Sequence, residues 1–138
     1  MRRLCAAFII LLGLANAALA QGIMPLPSFS IPIAGTVAAA TKIVTAPTSG
    51  AGVSRQIIVT QVSLIPVATG VVTFTYGTGT NCGTGTASVT GAMTFAAGQT
   101  LNSGDGNGPV WIIPPGNDLC VTIATAAAPG SLTYTIQP

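Results

Sequence analysis

Residues 71–76 read VVTFTY, and residues 131–137 read SLTYTIQ. In the first stretch Val72, Phe74 and Tyr76 fall on one side of an extended chain, against Val71, Thr73 and Thr75. In the second, Leu132, Tyr134 and Ile136 oppose Thr133 and Thr135. One apolar face and one hydroxyl face describe a strand packed on a core from one side only. Working outward, the same Thr, Val and Ile usage recurs in short runs punctuated by Gly, Pro and Asn. Strands are predicted at Thr41–Ala46, Gln56–Ile65, Val71–Tyr76, Thr86–Val89, Ala92–Phe95, Val110–Ile113, Leu119–Thr125 and Ser131–Gln137. Seven or eight short strands in about 100 residues indicate an all-β, two-sheet β-sandwich, of jelly-roll or immunoglobulin-like topology. Periodicity does not choose between the two.

The chain has 138 residues, four basic and two acidic, and no His. Arg2 and Arg3 precede an apolar run from Leu4 to Leu14, and Ala18-Leu19-Ala20 is a small-x-small cleavage signal. Residues 1–20 therefore read as a signal peptide, and Cys5 lies inside it. The apolar run is too short to cross a bilayer, and no membrane span is expected. Beyond it stand Lys42 and Arg55 against Asp105 and Asp118, for a formal net charge of zero. There is no basic patch to neutralise phosphates, so nucleic acid is not expected as a partner. General acid–base chemistry lacks its usual groups, and the abundant Ser and Thr lack an activating base. A Ser–Lys pair through Lys42 has no supporting spacing. The chain reads as non-enzymatic, with no cofactor and no metal.

Export makes Cys82 and Cys120 a natural disulfide in an oxidising compartment. Without a CxxC or a His, they do not suggest a metal or redox centre. Leu119, Val121 and Ile123 point together, which puts Cys120 on the other side of its strand. The bridge is then expected to tie that strand's outer face or edge to the Gly-rich segment Tyr76–Thr86, YGTGTNCGTGT. That segment has no Lys for a phosphate loop and reads as a tight connection.

Residues 21–35 hold Pro25, Pro27 and Pro32 among Ile23, Met24, Leu26, Phe29, Ile31 and Ile33. They read as an extended Pro-rich arm, too apolar for a solvated tail. Residues 36–138 form the β-sandwich domain. Asn102–Gly108, NSGDGNG, offers oxygens from Asn102, Asp105 and Asn107, but one carboxylate is poor provision for calcium and a Gly/Asn/Asp turn needs no ion. Trp111, between Val110 and Ile112, is the single Trp. It reads either as core packing or as a platform for a sugar ring.

The wording YGTGTNCGTG, then PPGNDLCVT and a closing GSLTYT, resembles small β-rich proteins encoded in bacterial and phage genomes. The match runs from about Val71 to Gln137. It implies a β-sandwich and the pairing of Cys82 with Cys120, carries no known chemistry, and points toward a virion or surface-structural setting. The expected function is an exported structural or assembly module that forms a homo-oligomer, at an extracellular or periplasmic surface, in a filament or on a virion. The alternative is an exported binding module for a glycan or other surface polymer, using Trp111, Asn102, Asp105 and Asn107.

Overall fold

The computed structural model describes residues 27–33, 37–48, 54–124 and 127–138; the stretch read as a signal peptide and most of that read as a Pro-rich arm lie outside these. In chain order the strands are β1 (Ser28–Ile33), β2 (Val37–Val44), β3 (Gln56–Leu64), β4 (Gly70–Thr78), β5 (Thr84–Ser88), β6 (Met93–Phe95), β7 (Leu101–Ser103), β8 (Trp111–Ile113), β9 (Asp118–Ala124) and β10 (Gly130–Gln137). A single 3-10 turn, Thr80–Cys82, follows β4. Two antiparallel sheets pack face to face. The first runs β1-β10-β3, with β7 and β8 both pairing the far side of β3. The second runs β2-β9-β4, with β5 and β6 both pairing the far side of β4.

Each of those split partners is one interrupted strand. Between β5 and β6, the Val89 and Thr90 amides both donate to the Phe74 carbonyl, while Thr90 Oγ1 accepts the Phe74 amide at 3.1 Å. Apart from the fourth and fifth, which pair within the second sheet, successive strands then alternate between the sheets, in the orders first-eighth-third-sixth and second-seventh-fourth-fifth. This is the jelly roll, eight strands wound as two Greek keys. The β-sandwich expected from the sequence is present, and the pairing resolves the topology that periodicity left open.

Between the sheets the alternating residues meet. Ile57, Val59, Val62, Leu64, Leu132 and Ile113 come from the first sheet, and Val72, Phe74, Leu119, Val121 and Ile123 from the second; all are at most 1% exposed. Each such side chain contributes about 1.5–3 kcal/mol on burial.

β1 was not among the expected strands. It lies within the stretch read as an arm and pairs with β10 from Ser28↔Thr135 to Ile33↔Gly130. Pro32 is tolerated because β1 is the sheet's outermost strand, where a missing amide need cost no ladder bond. β10 also pairs with β3, and the register slips at Thr133/Tyr134, so that Thr60 stands as an extra residue in β3. That bulge matters for the surface described next.

Candidate functional site

The Gly-rich connection and the end of β9 form one interlocked corner. Cys82 ends the 3-10 turn and is bonded to Cys120 of β9, with their Cα atoms 6.3 Å apart and both residues at most 1% exposed. Cys120 faces Thr75 and Lys42 across its two neighbours, on the side of the sheet away from the core. The disulfide thus pins the loop onto the outer face of the second sheet, as the side-chain alternation implied. The loop reaches it by a sharp reversal. Asn81 and Cys82 both have positive φ, 49° and 59°. A Cβ at Gly77 would meet the carbonyls of Cys82 and Thr84 at 2.9 Å, so the chain can close only over a bare Cα. The Thr86 hydroxyl donates to the Cys82 carbonyl from β5.

Beside the disulfide, Asp118 opens β9. It is 6% exposed, yet its carboxylate is satisfied: Oδ1 accepts the Ala46 amide at 2.6 Å and Oδ2 accepts Lys42 Nζ at 3.2 Å. The Lys42 amide in turn donates to Asn81 Oδ1 at 3.3 Å. Half of the charged residues beyond residue 20 are therefore spent on one pair that binds β2, β9 and the disulfide loop together. Asp118→Ala is expected to cost about 2 kcal/mol in urea unfolding, because it strands the part-buried Ala46 amide. Asp118→Asn retains an acceptor for Ala46 and should cost less. Equal, negligible losses for both variants would show that the corner is held by the disulfide alone.

The other sequence-derived candidates are scattered. Trp111 turns inward on β8 and packs on Phe74, ring centroids 4.8 Å apart and planes at 44°. Ile112, the next residue, takes the solvent side and is 55% exposed. Asn102 sits on β7 opposite Ser63. Asp105 and Asn107 do meet: the carboxylate accepts the Asn107 backbone amide at 3.0 Å and its side-chain amide at 3.4 Å. Those two bonds, the backbone one first, hold the Asp105 carboxyl below its ordinary pKa. The acidic group is thus the cap of a turn. Among the described residues no cluster of three or more His, Cys, Asp or Glu side chains is placed to hold a metal ion.

The structure adds a surface that no motif announced. On the outer face of the first sheet, Ser28, Thr135, Ile58 and Ile112 form a cross-strand row over β1, β10, β3 and β8. Gln137 and Gln56 pair in the adjoining row, and Thr60 at the bulge closes the end. The turn from Gly106 to Pro109 rises beside this floor and makes a groove of about 610 Å³. Its position is set by the fold. The Gly106 amide donates to the Thr60 carbonyl at 3.2 Å, and the Val110 amide to the Val59 carbonyl at 2.7 Å. Gly104, at φ +82°, presses against Thr60 so closely that a Cβ would collide with its carbonyl. Sequence reasoning found Asn107 but not its partners, which come from four strands far apart in the chain.

No protein-family model matches this chain, and no curated protein matches it either. Among solved structures, it is similar to a chain from work described as "Bacillus endospore appendages form a novel family of disulfide-linked pili". The two are 18% identical, and the likeness covers 85% of this chain and 90% of that one at a TM-score of 0.45.

Proposed function

We propose that this chain is a non-enzymatic structural subunit, exported to an oxidising compartment, that assembles with copies of itself. The observation that carries the reading is the shortage of charge on a surface that still displays large apolar groups. Charged residues make up 4% of the chain, where an ordinary soluble domain carries about 25%. Lys42 and Asp118 are consumed by each other, which leaves Arg55 and Asp105 beyond residue 20. Meanwhile Ile65, Val67, Ile112 and Phe29 are 42–62% exposed.

Two further features support assembly. Among the described residues, β1 and β2 each have a strand on one side only, and an open edge is a template for pairing with another chain. The disulfide supports the compartment, since such bonds persist outside the reducing cytoplasm. No helix among the described residues is long and apolar enough to cross a membrane.

Assembly through strand edges and apolar contacts, with few charges to screen, should be insensitive to salt. Light scattering on the purified, disulfide-bonded protein is expected to give a mass of several subunits. That mass should be the same at about 50 mM and about 500 mM salt. A monomer at about 100 μM would overturn the reading, because weak transient pairs, not structural subunits, dissociate at that concentration.

A further inference from the structure

We infer that the groove on the outer face of the first sheet is a binding site for a neutral saccharide. The inference stands apart from self-assembly and uses a face of the sheet, not its open edges.

The lining decides the ligand class. Its polar side chains are Ser28, Gln56, Thr60, Asn107, Thr135 and Gln137, and none of the lining residues is charged. Hydroxyls and carboxamides each both donate and accept, as sugar hydroxyls do. An anion would find no cation here, and a metal ion no carboxylate. Between the polar groups, Ile58 and Ile112 give the floor an apolar strip, and Ile112 leaves half its surface uncovered. The C–H face of a pyranose ring matches such a strip, with its equatorial hydroxyls reaching the amides at either side. A purely apolar ligand would strand those amides. A peptide recognised by backbone pairing would add along the open edge of β1, whereas the groove lies over the central strands β10 and β3, whose backbone groups are engaged in their own ladders.

Size and rigidity agree with this. Four neighbouring strands at the usual spacing make a row of about 14 Å, the length of a short oligosaccharide. The groove volume lies within the range of about 300–1,000 Å³ typical of small-molecule sites. The wall is preformed: the Asp105 cap, the two amide bonds to Val59 and Thr60, and the Gly104 contact hold it without a ligand. Little ordering entropy remains to be lost on binding.

The test is ligand-observed saturation-transfer NMR on disulfide-bonded protein expressed from the complete sequence, a method that tolerates large assemblies. The probes are maltotriose, cellotriose, mannotriose and chitotriose, with trigalacturonate as the charged control. At least one neutral probe is expected to bind with a Kd of about 1 mM or tighter, and trigalacturonate at least tenfold more weakly. The double variant Gln56→Ala/Gln137→Ala should weaken that binding about tenfold or more, from two lost hydrogen bonds. Thr122→Ala, on the outer face of the other sheet, should leave it unchanged. If the double variant does not fold, Thr135→Val removes one hydroxyl at nearly constant volume and should weaken binding several-fold. Absence of transfer to all four neutral probes, equal binding of trigalacturonate, or undiminished binding by the groove variants would each overturn the inference.

Discussion

Cys82→Ala/Cys120→Ala is expected to lower the stability of this fold by about 3–4 kcal/mol, the entropy that a cross-link over this span removes from the unfolded chain. The two cysteines are 38 residues apart, and their loop spans the segment from the 3-10 turn through β5, β6, β7 and β8. A second loss accompanies the first. The turn that ends at Cys82 holds two non-glycine residues at positive φ, Asn81 and Cys82 itself, a conformation that costs free energy and persists only where the surroundings enforce it. Without the cross-link, residues 79–83 should leave the sheet, and Lys42 should lose its Asn81 contact. Guanidinium unfolding of the native protein, with and without reductant, checks this independently of any substitution. Coincident curves would mean that packing alone holds the loop, and that the disulfide is dispensable.

Phe74→Ala should be as severe, at about 3–5 kcal/mol. Phe74 is fully buried at the centre of β4, and its ring rests on Trp111 from the opposite sheet. Truncation removes the contact that joins the two layers and leaves a cavity beneath the indole. Because Trp111 is the chain's single tryptophan, its emission reports the change directly. The variant should show red-shifted fluorescence before any denaturant is added and unfold at a much lower midpoint. Trp111→Ala should destabilise by a similar amount, since it empties the same place. A fully stable Trp111→Ala protein that lost only sugar binding would instead restore the indole as a ligand platform.

The legible parts of this fold are those where a single residue period carries the information. β4 and β10 alternate apolar and Thr residues across VTFTY and LTYTI, and β9 places Leu119, Val121 and Ile123 at every second position, enough to reveal both the strand and its buried face. The side of β9 on which Cys120 lies followed from the same alternation, and with it the placement of the disulfide on the outer face of the sheet. β7 escaped notice because three residues in a Gly/Asn-rich stretch are too few to show a period. β1 escaped because its proline argued against a strand, and only its place at the edge makes that proline harmless. Trp111 stood between two readings, since flanking Val110 and Ile112 do not say which way an indole turns. The groove was out of reach for a different reason: its floor depends on the register of four strands, and its wall on a one-residue bulge at Thr60.

By itself, the sequence determined that this is a nearly uncharged, two-layered β protein with a disulfide, because composition, two-residue alternation and the pair of cysteines beyond residue 20 are local or additive properties. The tertiary structure alone decided the jelly-roll order, the inward turn of Trp111, the Lys42–Asp118 lock and the neutral groove. Each of these depends on which distant residues face one another. Cross-strand register sets that, and a shift of one residue would turn every side chain of a strand to the opposite face.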